Sequence, residues 1–375
     1  MNQKIEISKL ECFVFRAPIK TPVQTSFGIM VDRPMVLVRI EDSDGCFGWG
    51  EIWCNFPSVG AEHRARLAAS VFAPLLVGAS FTSPQEVYQR MFRSTEVLAI
   101  QSGEFGPIAH VIAGVDTAVW DLAARRQSLP VWKLLGGTQG SVAVYASGLN
   151  PTSPEIVAKR CFEKGYRAFK LKIGFGDDVD LPNLEKLRSE FGMDVMLMAD
   201  ANQGWTLDQA LVQVNKLAPF KLRWLEEPLR ADRPLSEWTV LAKTGIPLAA
   251  GENMASEGTF AAAIASSAIS VIQPDLAKWG GFTKCLPIAK DIIAANLVYC
   301  PHYLGGGLGL VASAHCLAAA GGNGMLEIDG NENPLRNLLC GSLAQVRNGR
   351  AELGLEAGLG VLPDLEMLQE YRIQF

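Results

Sequence analysis

The sequence predicts an α/β protein built around a parallel β/α barrel, with a second, smaller domain beside it. Seven charged residues follow short apolar segments at steps of 23 to 28 residues over 172–327. A strand, a helix and two loops fit that repeat. The length of 375 residues also fits a barrel of roughly 200 to 250 residues plus a smaller domain.

The composition excludes several classes of protein. Apolar residues make up 49% of the chain and charged residues 19%, which favours a large core over disorder. The net charge of −5, without a basic stripe, makes nucleic acid an unexpected partner. We expect no membrane span, since the uncharged runs 258–273 and 304–326 are too rich in serine or glycine. We also expect no cleaved signal sequence. Eight cysteines without a Cys-x-x-Cys pair predict free thiols and a cytoplasmic location.

The smaller domain begins with strands. Segments 5–16 and 35–41 have strand composition, and Asp44-Gly45 predicts a hairpin turn before a third strand at 46–51. Between the first two strands, the three prolines of 17–34 predict a mobile loop.

Helices follow in the same domain. Ser83-Pro84-Gln85-Glu86 has the pattern of a helix N-terminus. A longer helix is indicated by one apolar stripe, formed by Ile108, Val111, Ile112, Val115, Val119 and Leu122. His110 lies beside the stripe, and we assign it a structural role. Gly136-Gly137 ends the segment, so we predict a first domain at 1–137, the barrel at 138–330, and a C-terminal segment at 331–375 that returns to the first domain.

The second predicted strand of the barrel carries two lysines. Because side chains alternate along a strand, Lys170 and Lys172 share one face. Neighbouring ammonium groups lower each other's pKa, and a lysine with a lowered pKa can act as a general base. A solvated strand face would explain the two lysines alone, but the residues downstream favour catalysis.

Three carboxylates follow on successive predicted strands. Asp200, Glu226 and Glu252 each come at the end of an apolar run, and barrel enzymes carry their catalytic groups at the C-terminal ends of the strands. Converging carboxylates repel each other unless a cation lies between them. Their hard oxygen atoms favour one Mg²⁺ per subunit, with Mn²⁺ as a possible substitute.

Asp275 and His302 follow the sixth and seventh predicted strands. A carboxylate beside an imidazole fixes its tautomer and raises its pKa. With Lys172 as a base opposite, this pattern predicts abstraction of the proton α to a carboxylate. The metal and Glu327, if protonated, would stabilise the enediolate. The glycine-rich run 305–309 does not match a nucleotide-binding loop, because Leu310 stands where the last glycine is required.

Over nearly its whole length the chain resembles the enolase superfamily, mandelate racemase subgroup. The resemblance implies an α+β capping domain, a (β/α)7β modified TIM barrel and a homo-oligomer of two to eight subunits. The matching motifs are Lys170-Leu171-Lys172, Asp200-Ala201-Asn202, Glu226-Glu227-Pro228, Gly251-Glu252-Asn253, Asp275-Leu276-Ala277-Lys278 with Gly280-Gly281, His302, Glu327, Ala118-Val119-Trp120-Asp121, Leu134-Leu135-Gly136-Gly137 and Gly358-Leu359-Gly360-Val361.

The resemblance also implies roles for these residues. Lys172 is the base on one face of the substrate, and Lys170 is its electrostatic neighbour. The metal ligands are Asp200, Glu226 and Glu252. The acid/base on the other face is His302, which Asp275 orients. The residues that contact the substrate carboxylate are Lys170, Asn202 and Glu327. Asp275 occupies the position of a catalytic lysine in the muconate-lactonizing branch, which argues against that branch.

Two loops, 17–34 and 51–58, correspond to the substrate loops of the subgroup. Phe27, Trp53 and Phe56 are therefore candidate substrate contacts, although packing between the domains explains them equally well. Lys278 is expected to have a supporting role.

The favoured activity is dehydration of an acid sugar, a small carboxylate, to a 2-keto-3-deoxy acid. Racemisation or epimerisation of a 2-hydroxy acid uses the same residues, so the motifs leave both open. Two more distant alternatives are a metal-free aldolase that uses Lys172 as a Schiff base, and a barrel without catalysis.

Overall fold

The computed structural model describes residues 4–24 and 28–375. The predicted substrate contact Phe27 lies outside these ranges. The described chain forms two sheets, one antiparallel and one mainly parallel.

The capping domain combines an antiparallel sheet with a layer of helices. Its sheet has the strand order β15-β1-β2-β3, with β4 paired to β1. Strand β15 (Arg372–Ile373) belongs to the C-terminal segment. Its elements, in chain order, are β1 (Ile5–Gln24), β2 (Ile29–Asp42), β3 (Phe47–Ile52), α1 (Gly60–Leu67), a π-helical turn (Ala68–Phe72), α2 (Ala73–Leu76), β4 (Ser80–Phe81), α3 (Pro84–Ser102), α4 (Phe105–Arg126) and α5 (Val131–Leu134).

The prediction of a loop at 17–34 was wrong over most of that range. Strands β1 and β2 continue through it as a long hairpin, with Ala17 paired to Arg33 and Val23 paired to Met30. Pro22 falls inside a register shift between Pro18 and Val23. Because a register shift interrupts the ladder, proline costs no hydrogen bond there and does not end the strand.

The predicted helices of this domain are confirmed. The Ser83 hydroxyl accepts a hydrogen bond from the Glu86 amide at 3.3 Å, and the whole predicted stripe of α4 is buried. Two glycines of β3 allow α4 to lie close against the sheet. A Cβ atom on Gly48 or Gly50 would lie 2.1 Å from a carbonyl oxygen of α4.

The barrel contains eight parallel strands and seven helices, which confirms the predicted (β/α)7β fold class. Each strand from β5 to β10 pairs with the next, and β12 pairs with β5. The elements are β5 (Ser141–Leu149), α6 (Pro154–Glu163), β6 (Ala168–Lys172), α7 (Asp177–Phe191), β7 (Met196–Asp200), α8 (Leu207–Leu217), β8 (Leu225–Glu226), α9 (Leu235–Ala242), β9 (Leu248–Ala250), α10 (Glu257–Ser266), β10 (Val271–Ile272), α11 (Gly281–Ala294), β11 (Val298–Tyr299), α12 (Gly307–Ala320) and β12 (Met325–Asp329).

The C-terminal segment contacts both domains. It contains α13 (Pro334–Leu339), β13 (Val346–Arg347), β14 (Arg350–Glu352) and β15 (Arg372–Ile373). Strand β14 pairs antiparallel with β5 of the barrel, and β15 pairs with β1 of the capping domain.

A buried ion pair joins the two domains near the mouth of the barrel. The Arg33 guanidinium of β2 contacts the Asp329 carboxylate at the end of β12, and each side chain is 3% exposed. Arg336 of α13 lies 3.6 Å from the same carboxylate. The second strand of the capping sheet is thereby fixed to the last strand of the barrel.

All eight cysteines are free thiols. Six are buried, and Cys12 and Cys46 are half-buried. Within the described ranges, no helix has both the length and the apolar character needed to cross a membrane.

Candidate active site

The barrel strands bring the predicted catalytic residues to one end of the sheet. Lys172, Asp200 and Glu226 are the last residues of β6, β7 and β8, and they lie in register. Parallel strands end at the same edge, so these side chains meet. The residues that follow β9, β10 and β11 are Glu252, Asp275 and His302, whereas Glu327 lies within β12.

Lys170 lies at the centre of this group and is fully enclosed. Its ammonium contacts the Glu226 carboxylate, and its Nζ lies 2.8 Å from Glu327 Oε1 and 3.9 Å from Asp200 Oδ2. Burial alone would lower the pKa of Lys170, but the surrounding carboxylates outweigh it and raise the pKa well above its ordinary value. Lys170 is therefore a permanent positive charge.

Lys172 is more accessible than Lys170. Its side chain is 17% exposed, against 1% for Lys170, and its Nζ lies 2.5 Å from Asp200 Oδ2. Burial and Lys170 both lower the pKa of Lys172. Asp200 raises it by more than they lower it, so the pKa lies above its ordinary value. The prediction of a lowered pKa was wrong for this arrangement, because the effect of the adjacent carboxylate exceeds that of the adjacent lysine.

His302 lies between three carboxylates. Its Nδ1 is 2.7 Å from Asp275 Oδ2, its Nε2 is 2.6 Å from Glu252 Oε2, and Nε2 is 3.8 Å from Glu327 Oε2. Burial lowers the pKa of His302, but Glu252 and Glu327 outweigh it and raise the pKa well above its ordinary value. A carboxylate at each ring nitrogen favours the doubly protonated imidazolium form of His302.

Glu252 and Glu327 are both ionised. Burial raises the pKa of Glu252, but His302 and Lys278 lower it well below the usual range. Burial likewise raises the pKa of Glu327, and Lys170 and His302 lower it below its ordinary value. These neighbours favour the ionised form of Glu327, and its role in stabilising the enediolate stays a prediction.

Carboxyl groups outnumber basic groups in this cluster. Its carboxylates are Asp200, Glu226, Glu227, Glu252, Asp275 and Glu327, and its cations are Lys170, Lys172, Lys278 and His302. Burial raises the pKa of Glu226 to about 7 although Lys170 opposes it. Burial and Glu252 raise the pKa of Glu227 well above its usual range. Burial thus favours the neutral form of both carboxyl groups.

The three predicted metal ligands fit a hard divalent cation by the chemistry of their atoms and by their places on successive strands. Each is paired here with a side-chain cation: Asp200 with Lys172, Glu226 with Lys170, and Glu252 with His302. Across residues 4–24 and 28–375, no group of three His, Cys, Asp or Glu side chains is arranged to hold a metal ion. Lys170 occupies the position of a cation among the carboxylates.

Family models match most of the chain. Residues 155–367 match the model described as enolase C-terminal domain-like. Residues 9–136 match the N-terminal domain of mandelate racemase and muconate lactonizing enzyme. The chain belongs to the enolase superfamily.

Named relatives in the superfamily are enzymes of carbohydrate acids. A 3,6-anhydro-alpha-L-galactonate cycloisomerase from Streptomyces coelicolor is 31% identical over 79% of this chain and 82% of its own. An arabinonate dehydratase from Saccharolobus solfataricus is 26% identical over 92% of each chain. This chain is likewise an enzyme of the superfamily.

Solved structures of superfamily members have the same fold. A mandelate racemase/muconate lactonizing enzyme from Bordetella bronchiseptica RB50 is 51% identical over 98% of this chain and 100% of its own, with a TM-score of 0.94. A racemase from Streptomyces coelicolor A3(2), solved with bound magnesium, is 29% identical over 98% and 100%, with a TM-score of 0.88.

The structure also shows where the predicted substrate contacts lie in this superfamily member. The Asn202 amide donates to Asp200 Oδ2 at 3.1 Å. Trp53 packs against His110 at 4.9 Å between ring centroids, and the Lys278 ammonium lies 4.8 Å from the Trp53 ring. Phe56 is 6.5 Å from Trp53. Trp53 therefore reaches the site through Lys278, whose Nζ lies 3.4 Å from Glu252.

Two residues that hold the site were missed by sequence reasoning. The Gln273 side chain donates to Glu226 Oε2 at 2.6 Å, and the Ser147 hydroxyl hydrogen-bonds Glu327. Both are polar residues in buried strand segments, and buried polar groups require a partner. That pattern was the available signal.

Proposed function

We propose that this enzyme removes the α-proton of a polyhydroxy carboxylate and then eliminates its β-hydroxyl group. The substrate class is an acid sugar, and the product is a 2-keto-3-deoxy acid. The names of the cycloisomerase and dehydratase relatives support this class, since both contain a sugar acid.

One observation carries the proposal: a continuous series of ion pairs connects a reachable base to an imidazolium. Lys172 contacts Asp200, Asp200 lies near Lys170, Lys170 contacts Glu327, and Glu327 lies near His302. The series has at one end an amine that can accept a proton once it is deprotonated, and at the other end an imidazolium that can donate one. Elimination requires both.

The residues divide the reaction between them. Lys172 accepts the α-proton in its deprotonated form, which the raised pKa makes the minor form in the absence of substrate. The electron pair left behind forms an enediolate, whose negative charge the nearby Lys170 ammonium stabilises. Protonated His302 then donates to the β-oxygen as the carbon–oxygen bond breaks, and water leaves. The resulting enol takes up a proton and becomes the 2-keto acid.

We assign one Mg²⁺ to Asp200, Glu226 and Glu252, with Mn²⁺ as a possible substitute. When bound, the cation would supply positive charge to the substrate carboxylate. The excess of carboxyl groups over basic groups in the site supports this assignment, and so does the magnesium bound in a superfamily relative.

Racemisation of a 2-hydroxy acid is the second candidate. It would use Lys172 and His302 as the two proton carriers, and a structural relative is named a racemase. The cycloisomerase relatives bring a third possibility, in which the group eliminated is a ring oxygen. All three begin with the same proton abstraction.

We further propose a cytoplasmic homo-oligomer that acts on small carboxylates, with domains at 1–137, 138–330 and 331–375. Eight free thiols favour a reducing compartment. Apolar side chains on the outer face of the capping helices, among them Val97, Ile100 and Phe105, are more than half exposed and are suited to contacts between subunits.

The decisive experiment is proton NMR in D₂O with Mg²⁺ and a panel of acid sugars, anhydro sugar acids and 2-hydroxy acids. New 3-deoxy methylene signals are expected with one acid sugar. Loss of the α-proton signal without a keto product would instead support racemisation. No change across the panel would contradict the proposed substrate class.

Two controls test the assigned chemistry. The His302→Asn variant is expected to lose elimination, and a chelator is expected to stop the reaction until Mg²⁺ is restored. Turnover that persists with chelator, together with borohydride trapping of a substrate adduct, would favour a Schiff-base aldolase instead.

A further inference from the structure

The glycine-rich segment 303–309 follows His302 directly and leads into α12. Its sequence resembles a nucleotide-binding loop without matching one. In the structure it encloses a protein carboxylate, that of Glu51, which comes from β3 of the capping domain. Glu51 is 3% exposed.

Glu51 occupies the N-terminus of α12. The Gly306 amide donates to Oε1 at 2.5 Å and the Gly309 amide donates to Oε2 at 2.9 Å. The Tyr303 hydroxyl also hydrogen-bonds the carboxylate. The first amides of a helix lack intrahelical partners and favour a negative charge. Here the carboxyl group of a residue about 250 positions away in the sequence accepts hydrogen bonds from them.

The segment has no room for side chains around this carboxylate. A Cβ atom on Gly306 would lie 2.7 Å from Glu51 Oε1, and one on Gly309 would lie 2.3 Å from the Tyr303 hydroxyl. The glycines therefore permit the close approach of Glu51 and its partners.

Other contacts from outside the barrel hold the same segment. The Asn55 amide of the capping domain donates to the Leu304 carbonyl at 2.7 Å. On the other side, the Asn333 amide donates to the Gly305 carbonyl at 2.7 Å. The Tyr303 amide donates to Glu327 Oε2 at 3.4 Å, which connects the segment to the catalytic group.

We propose that Glu51, assisted by Asn55, is a positioning residue for His302. The capping domain holds the 303–309 segment and thereby fixes the imidazole between Asp275 and Glu252. The consequence for catalysis rests on the proposed function, in which His302 is the acid. A displacement of about 1 Å in a catalytic group can reduce the rate about 100-fold.

The kinetic test compares elimination with α-proton exchange. In the Glu51→Ala variant, elimination is expected to fall 10- to 100-fold, while exchange through Lys172 stays within about threefold of wild type. Glu51→Gln, which retains a hydrogen-bond acceptor, is expected to recover part of the elimination rate. Equal loss of both rates, or wild-type elimination in Glu51→Ala, would overturn the proposal.

Asp42→Asn is the matched control. Asp42 is a buried carboxylate of the same domain that accepts two backbone amide bonds, at 3.0 and 2.9 Å, but it lies away from the 303–309 segment. Its replacement is expected to lower the melting temperature without changing the ratio of elimination to exchange. A changed ratio in this variant would mean that general destabilisation causes the effect.

A second measurement needs no substrate. The proton on His302 Nδ1, bonded to Asp275, should give a downfield NMR signal that His302→Asn removes. Glu51→Ala, and Gly306→Ala from the opposite side, are expected to shift or broaden this signal, and Asp42→Asn to leave it in place. If wild type turns over no substrate, the proposed function fails but the signal still tests Glu51. An unshifted signal in Glu51→Ala would refute the positioning role.

Discussion

Exposure separates the two lysines of β6 more clearly than charge does. Lys170 is enclosed by carboxylates, whereas Lys172 has one close partner and keeps part of its side chain open. Only an amine that a substrate can reach can accept its proton. At the scale of single residues, we therefore propose Lys172 as the base and Lys170 as the fixed charge.

Replacement of Lys172 tests this division. Lys172→Ala is expected to slow α-proton exchange by about 10²- to 10⁴-fold, the usual contribution of a general base. Exchange is measured by NMR in D₂O. Lys172→Arg, which keeps the charge but not a titratable amine, should be as slow as the alanine variant. Exchange at the wild-type rate in either variant would remove Lys172 from the mechanism.

The identities of these residues were predictable, but their ionisation was not. Strand-end positions follow from the spacing of apolar segments, so Asp200 and His302 could be located from the sequence. The pKa of Lys172 depends on a distance of 2.5 Å to Asp200, and no pattern in the sequence specifies such a distance. Gln273 was missed because one polar residue hardly alters an apolar run.

At the scale of elements, α12 carries a histidine that stays neutral. The Trp132 amide of α5 donates to His315 Nδ1 at 3.0 Å, and burial lowers the pKa of His315 to about 3. The unfolded chain would bind this proton near 6.5. Between those values the unfolded state binds more protons, so stability falls as the pH falls.

The His315→Gln variant should remove this dependence. Between pH 7 and pH 5, wild type is expected to lose about 2 kcal/mol more unfolding free energy than the variant. Urea unfolding at the two pH values measures the difference. Asp116, whose pKa burial raises to about 7, acts in the opposite direction, but it is present in both proteins and cancels. An equal pH dependence of the unfolding free energy in wild type and variant would show that His315 is not buried as a neutral group.

Helix ends were predicted better than the first hairpin. Capping signals are local, and at the predicted helix N-terminus the Ser83 hydroxyl accepts a hydrogen bond from the Glu86 amide at 3.3 Å. The arms of β1 and β2 depend on pairing between distant residues and on burial of Ala17 and Val23. Proline content alone therefore indicated a loop where a paired strand forms.

At the scale of the whole molecule, a few buried polar contacts join the two domains. Arg33 and Asp329 are 296 positions apart in the chain. Sequence reasoning could propose that the domains meet, but it could not pair these two residues, because nothing local connects them.

Arg33→Met should reveal the strength of this junction. Removing one partner leaves the buried Asp329 charge with only Arg336 nearby, and we expect a loss of about 3 to 5 kcal/mol. Arg233→Met is the control, since Arg233 is 51% exposed and pairs with Glu237 on the surface; its loss should be below about 1 kcal/mol. Equal effects in urea unfolding would mean that the buried pair contributes no more than a surface pair.

The buried thiols can report which regions of the protein open, because a reagent can alkylate them only after they become accessible. An alkylating reagent should modify the native chain mainly at Cys46, because the pKa of Cys12 is raised to about 12 by burial and the other six are enclosed. Each further adduct adds a fixed mass and identifies a region that has opened. Cys54 reports on the capping domain, and Cys285 and Cys300 on the barrel. Pulse labelling in rising urea, read out by mass spectrometry, would therefore show whether the capping domain unfolds before the barrel.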